Sequence, residues 1–221
     1  MKKFIFLVAV LLNLAFCKPY VDFDMRTLFG EPTNNGLRAF NIGALYKGVE
    51  NLYSHARFYP LNFDNENEKN AAFDDLKSFL NIFETIRKDK LNEKLNDKIY
   101  FDLVQARLFV MAHNFDMNGF AKKADESYKK LLLNDKNGEI RIEFAEFLGN
   151  SARINEAKIE FEKALSQGNN RAYYGLSLAY LAQNKKDEAI KQMQNYIAKF
   201  PNDENAKKML EIIKNSEIKF N

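Results

Sequence analysis

The chain has 221 residues, 46% of them apolar and 29% charged, enough to bury a real core in one domain or a short repeat array. Its formal charge is +3, and without Lys2 and Lys3 it holds 31 basic against 30 acidic side chains, a net +1. A balance that even argues against the clustered basic face that nucleic-acid or membrane-surface binding requires.

Lys2 and Lys3 make a basic start, and residues 4–16 are apolar apart from Asn13. That run is too short to span a bilayer, which takes roughly 20 residues. It suits the hydrophobic region of a secretory signal peptide, assigned to residues 1–17. Ala15 and Cys17 occupy the two places that signal peptidase reads, so the mature chain is expected to begin at Lys18 after export by the Sec route, in the periplasm or secreted. The alternative is a membrane-anchored lipoprotein. Leu14-Ala15-Phe16-Cys17 resembles a lipobox in which Cys17 would carry the lipid, but that motif expects Gly, Ala or Ser where Phe16 stands. Cys17 is the one cysteine, so a chain starting at Lys18 can form no disulfide.

Residues 18–35 carry Pro19, Gly30, Pro32 and paired asparagines with no sustained period, and read as an extended arm. Tyr20, Phe23, Met25, Leu28 and Phe29 are too apolar for a free tail, so part of the arm is expected to dock on the body. A first helix is expected after an Asn34-Asn35 cap, from Leu37 to about Arg57, with Leu45, Val49, Leu52 and Ala56 on one face. Gly43 and Gly48 inside it each cost up to about 1 kcal/mol against Ala. The acidic run of residues 64–68 lacks the glycine and distal glutamate of an EF-hand loop and reads as solvated. A second helix from Glu66 to Arg87 carries Ala72, Leu76, Phe79, Phe83 and Ile86 on one side. After an Asn96-Asp97 cap, Tyr100, Val104, Leu108, Met111 and Phe115 form a further stripe.

Three copies of one pattern follow, in residues 105–137, 138–169 and 170–203. A large residue stands at Leu108, Arg141 and Tyr173, and a second at Met111, Phe144 and Leu176. Then come a small one at Ala112, Ala145 and Ser177, and a large one at Phe115, Leu148 and Tyr180. In each second half a small residue stands at Ala124, Ala157 and Ala189, and a large one at Tyr128, Phe161 and Met193. Small side chains belong where helices approach most closely, and large ones fill the holes between layers. The layout resembles the tetratricopeptide repeat, whose pattern is Trp-x2-Leu-Gly-x2-Tyr, then Ala-x3-Phe, then Pro. Arg141 departs from it, and so does the missing proline at the end of the first two copies.

The resemblance implies an all-α fold: a solenoid of about three helical hairpins over residues 97–203. An N-terminal helical pair (residues 36–96) and a C-terminal helix (residues 204–221), with Ala206, Met209, Leu210 and Ile213 inward, would cap it. It also implies a concave groove that binds partner proteins or peptides. The positions after the first large slot, Phe109, Ile142 and Tyr174, would line it, with His113, Glu146 and Leu178 one turn on and Asp116 and Arg171 at its edge. Such a row favours an apolar ligand segment over a C-terminal carboxylate, although the arm or plain helix packing could occupy it instead.

Chemistry is not displayed. His55 and His113 form no HExxH-like pair, and no Walker loop, GxSxG elbow or GxGxxG occurs. The expectation is an exported bacterial-envelope adaptor or scaffold with no cofactor, no metal and no nucleic-acid partner, touching a membrane only if Cys17 is lipidated. The alternatives are an envelope enzyme, for example one acting on peptidoglycan, and a structural subunit of a large assembly such as a motility apparatus.

Overall fold

The computed structural model describes residues 19–215, so the expected signal segment and the last residues of the expected final helix lie outside it. The described residues are mostly helical, with nine α-helices and one two-stranded hairpin. The described residues divide into two compact units, residues 19–127 and residues 128–215.

In the first unit, strands β1 (Phe29–Pro32) and β2 (Arg38–Phe40) pair antiparallel where the sequence suggested the start of a helix. The cause is the Asn35-Gly36 step. Gly36 takes a left-handed φ of 72°, its N–H donates to the Thr33 carbonyl at 2.8 Å, and the Thr33 N–H donates to Leu37 at 2.7 Å. Helix α1 (Ile42–Ala56) therefore begins five residues later than expected, where the Asn41 side chain accepts the Ala44 N–H at 3.0 Å.

Helix α2 (Glu66–Lys88) starts in the acidic run, which serves as its cap. Asn65 accepts the Glu68 N–H at 3.0 Å, and the Glu68 carboxylate accepts the Asp64 N–H at 3.3 Å. Helix α3 (Lys98–Asn114) is capped by Asp97, which accepts the Tyr100 N–H at 2.8 Å. Leu45, Val49, Leu52 and Ala56 of α1, Ala72, Leu76, Phe79 and Phe83 of α2, and Phe101, Val104, Leu108 and Met111 of α3 close into one core.

The arm is built into this unit. The Tyr20 hydroxyl donates to Asp75 Oδ2 at 2.6 Å, the Phe23 N–H donates to the same oxygen at 2.8 Å, and Asn51 donates to the Val21 carbonyl at 3.1 Å. Burial and the bond to Asp75 push the Tyr20 hydroxyl well above the usual tyrosine range. A Cβ on Gly48 would lie 2.6 Å from Phe23 and 2.8 Å from Phe79, so this glycine, costly for helix formation, lets the arm's ring lie across α1. Further bonds span the unit. Buried Asn114 donates to the Ala56 carbonyl at 2.9 Å, Arg107 pairs with Glu50, and Arg87 pairs with Asp102.

Helix α4 (Phe120–Leu131) crosses the boundary between the units. The second unit continues with α5 (Glu139–Asn150), α6 (Ile154–Ser166), α7 (Ala172–Ala182), α8 (Lys186–Lys199) and α9 (Glu204–Asn215). From α5 to α9 the closest packing always joins consecutive helices, and α5 also reaches α7. Two turns repeat. Ala152 and Asn184 are both left-handed, at φ 61° and 58°. After them, Arg153 N–H closes on Leu148 at 2.9 Å and Lys185 N–H on Tyr180 at 3.0 Å, each on the last large residue of its pattern.

Gly138 separates one hairpin from the next at φ 76°, and a Cβ there would lie 3.1 Å from the Ala164 backbone, so only glycine fits. Side-chain bonds between hairpins recur at similar intervals. Gln167 donates to the Asp135 carbonyl (2.6 Å), Asn169 to the Asn137 carbonyl (3.1 Å), Arg171 to Glu139 (3.0 Å), Gln183 to Asn155 (2.7 Å) and Lys186 to the Lys214 carbonyl (2.7 Å). Their sequence separations all fall between 28 and 32 residues.

At the end, Asp203 caps α9 by accepting the Ala206 N–H at 3.0 Å. Ala206, Met209, Leu210 and Ile213 close over Leu181, Ala189 and Met193, while Lys207, Lys208, Glu211 and Lys214 face water. Among the described residues, no helix is long and apolar enough to cross a membrane.

Candidate protein-recognition surface

The expected groove residues divide between the units. Phe109, His113 and Asp116 belong to the first. Phe109 is half-buried against Phe120, with ring centroids 5.7 Å apart and the Lys123 ammonium 5.7 Å from its own centroid. Burial lowers the pKa of His113 against the opposing pull of Asp116, which is itself exposed and left-handed at φ 60°.

The turn at Asp116 also differs from its two counterparts. Met117 N–H closes on Ala112 at 2.9 Å, so the helix ends three residues earlier in the pattern than in the later copies. The constant spacing between slots thus hides two different divisions into helix and loop.

In the second unit Ile142 and Leu178 are 5% and 6% exposed, too buried for the groove positions expected of them. The reason is the composition of their helices. Helix α5 buries Ile140, Ile142, Phe144, Ala145, Phe147 and Leu148, and α7 buries Leu176, Ser177, Leu178, Ala179 and Leu181. Buried positions spread over so wide a face leave a helix enclosed rather than half-wetted.

What remains accessible is half-buried Glu146, exposed Arg171 and half-buried Tyr174. Tyr174 meets Tyr196 edge-on at 5.2 Å, and Tyr196 lies 4.7 Å from Phe200. The Tyr196 hydroxyl donates to Asp203 at 3.0 Å. Burial pushes the Tyr174 hydroxyl up to about 12, with the Asp203 charge adding to it. Sequence reasoning missed Tyr196 as the partner of Tyr174, and Phe200 as the partner of Tyr196. Their aromatic character on α8 and at its end was the available clue.

The packing positions divide into two classes. Ala112, Ala124, Tyr128, Ala145, Ala157, Phe161 and Ala189 are buried, whereas Phe115, Tyr173 and Tyr180 are half-buried. Phe115 stacks on Phe73 at 5.3 Å, and Lys158 lies 4.4 Å from the ring centroid of Tyr180. Phe161 lies so tightly on Gly175 that any Cβ there would enter its ring. Tyr128 stacks on Phe144 at 5.5 Å, and Ser177 donates to the Ala189 carbonyl at 2.7 Å.

Arg141 is the expected misfit, and its charge is answered locally. Its guanidinium pairs with Glu160 and donates to Gln167 at 2.9 Å, and Lys163 sits 2.7 Å from the other Glu160 oxygen. The Arg141 N–H donates to Asp135 Oδ2 at 3.0 Å, while the buried Oδ1 of Asp135 has no partner among the described residues. Among the described residues no group of three or more His, Cys, Asp or Glu could hold a metal ion. No protein-family model matches the chain, and no curated protein or solved structure matches it.

Proposed function

We propose that the protein is an exported helical-repeat adaptor of the tetratricopeptide type, binding a partner protein without catalysing a reaction. The reading rests above all on the recurrence of side-chain bonds at 28 to 32 residues, alongside the repeated turns at Ala152 and Asn184. An array of stacked hairpins presents a row of equivalent positions, which suits recognition of an extended apolar segment. In the second unit the contact set is Tyr174 with Tyr196 and Phe200, bordered by Arg171. Aromatic rings already held by neighbours lose little freedom on binding and supply most of an interface's energy.

The test places a photo-crosslinker at Tyr174 and, as control, at exposed Lys208 on α9, in cells that make the protein. One discrete adduct from position 174 and not from 208, weakened by Phe200→Ala, is expected. The same recovered protein should weigh as a chain beginning at Lys18. Equal crosslinking from both positions would refute the surface, and a lipid-bearing Cys17 would replace the soluble form by an anchored one.

A further inference from the structure

Three Asn–Gly pairs occur in the chain: Asn35–Gly36, Asn118–Gly119 and Asn137–Gly138. Such a pair can rearrange without an enzyme. The glycine nitrogen attacks the asparagine Cγ, the Cγ–N bond breaks and ammonia leaves. Water then opens the resulting five-membered imide at one of its two carbonyls, giving aspartate or isoaspartate. Asparagine plus water thus becomes an acid plus ammonia, with no oxidant or cofactor. Two conditions govern the first step: the glycine nitrogen must be free to act as nucleophile, and the asparagine amide must be free to swing onto it.

The three pairs meet these conditions differently. In the β1–β2 turn, the Gly36 N–H is held by the Thr33 carbonyl at 2.8 Å. At the third pair, between hairpins, Asn137 Oδ1 accepts the Glu139 N–H at 3.2 Å and its carbonyl accepts from Asn169 at 3.1 Å. Gly138 there is buried against Ala164. Asn118 and Gly119 are both exposed, and among the described residues neither the Asn118 amide nor the Gly119 N–H has a hydrogen-bond partner. Nothing lies within 4 Å of where a Gly119 side chain would stand, so the backbone has room to close the ring. The pair sits in the longer loop that the early helix end at Asp116 creates.

We propose that Asn118 is a spontaneous modification site that deamidates ahead of Asn35 and Asn137. The product adds a negative charge beside Asp116, just before the first turn of α4, where free N–H groups favour it. In its isoaspartate form it also lengthens the main chain of that loop.

The experiment incubates the full chain in mildly alkaline buffer and maps its peptides by mass, each modified peptide gaining about 1 Da as –NH2 gives way to –OH. Asn118 is expected to convert about fivefold faster than Asn35 or Asn137, the factor set by releasing one hydrogen bond of ordinary net strength. In urea, where these bonds are gone, the three rates should converge. Earlier conversion at Asn35 or Asn137 would overturn the proposal. So would survival of Asn118 for as long as Asn65, which no glycine follows, or an unchanged order of rates in urea.

Discussion

The two units hold their helices together in different ways. In the first, the bonds that matter join distant parts of the sequence: Tyr20 to Asp75, Asn114 to Ala56 and Arg107 to Glu50 lie 55, 58 and 57 residues apart. In the second, the bonds between hairpins stop at about one hairpin's length, 32 residues at most in Gln167 to Asp135 and Asn169 to Asn137. The first is a closed cluster in which each element leans on several others. The second is a chain of nearest neighbours, whose stability is a sum of local terms. The contrast teaches that one helical composition supports two kinds of cooperativity, set by how far apart the partnered residues lie.

The largest expected effect comes from Phe79, fully buried at the meeting of α1, α2 and the arm. Phe79→Ala is expected to cost about 4 kcal/mol. Residue-resolved hydrogen exchange should show protection falling together in α1, α2 and α3. Loss confined to α2 would mean that the first unit is no more cooperative than an array.

Next stands Arg141→Ala, which leaves the largely buried Glu160 with Lys163 alone, at an expected cost of about 2 kcal/mol. Here exchange should be graded, fastest in α5 to α7 and least changed in α9. A uniform loss across the unit would erase the distinction between the two regions.

The smallest effect appears in alkali. Tyr46 in the first unit and Tyr174 in the second are each pushed up to about 12 by burial. Well below pH 10 both rings are protonated whether the chain is folded or not. Between pH 10 and about 12 the folded chain keeps protons that the unfolded chain has lost, so stability falls as pH rises through that window. Tyr46→Phe and Tyr174→Phe should each remove part of the fall, as measured by urea midpoints. A fall unchanged in both variants would show that neither ring's burial is what the pH change senses.

Much of the helical framework was legible because its causes are local. The stripes of α2 and α3 follow the helical period, and Asp97 and Asp203 cap by side-chain geometry that a short stretch of sequence encodes. The β1–β2 hairpin is hard to read because Asn34 and Asn35 are also good cap residues, while Gly36 beside them favours the hairpin turn. The fate of Arg141 was illegible for another reason. Its answer, Glu160 and Gln167, lies on and just after the next helix, where spacing alone does not reveal orientation. The candidate surface was legible only at Tyr174 and Arg171, since apolar character cannot distinguish an open row from the enclosed Ile142 and Leu178.

The narrow range of intervals between bonded residues in the second unit, 28 to 32, sets a unit of length for change. Insert a handful of residues within a helix there, and Gln167, Asn169 and Arg171 lose their register against Asp135, Asn137 and Glu139. Insert or remove one whole hairpin, and the stacking of consecutive helices keeps its period. In this half of the molecule, evolution or engineering can alter the reach of the protein only in whole steps.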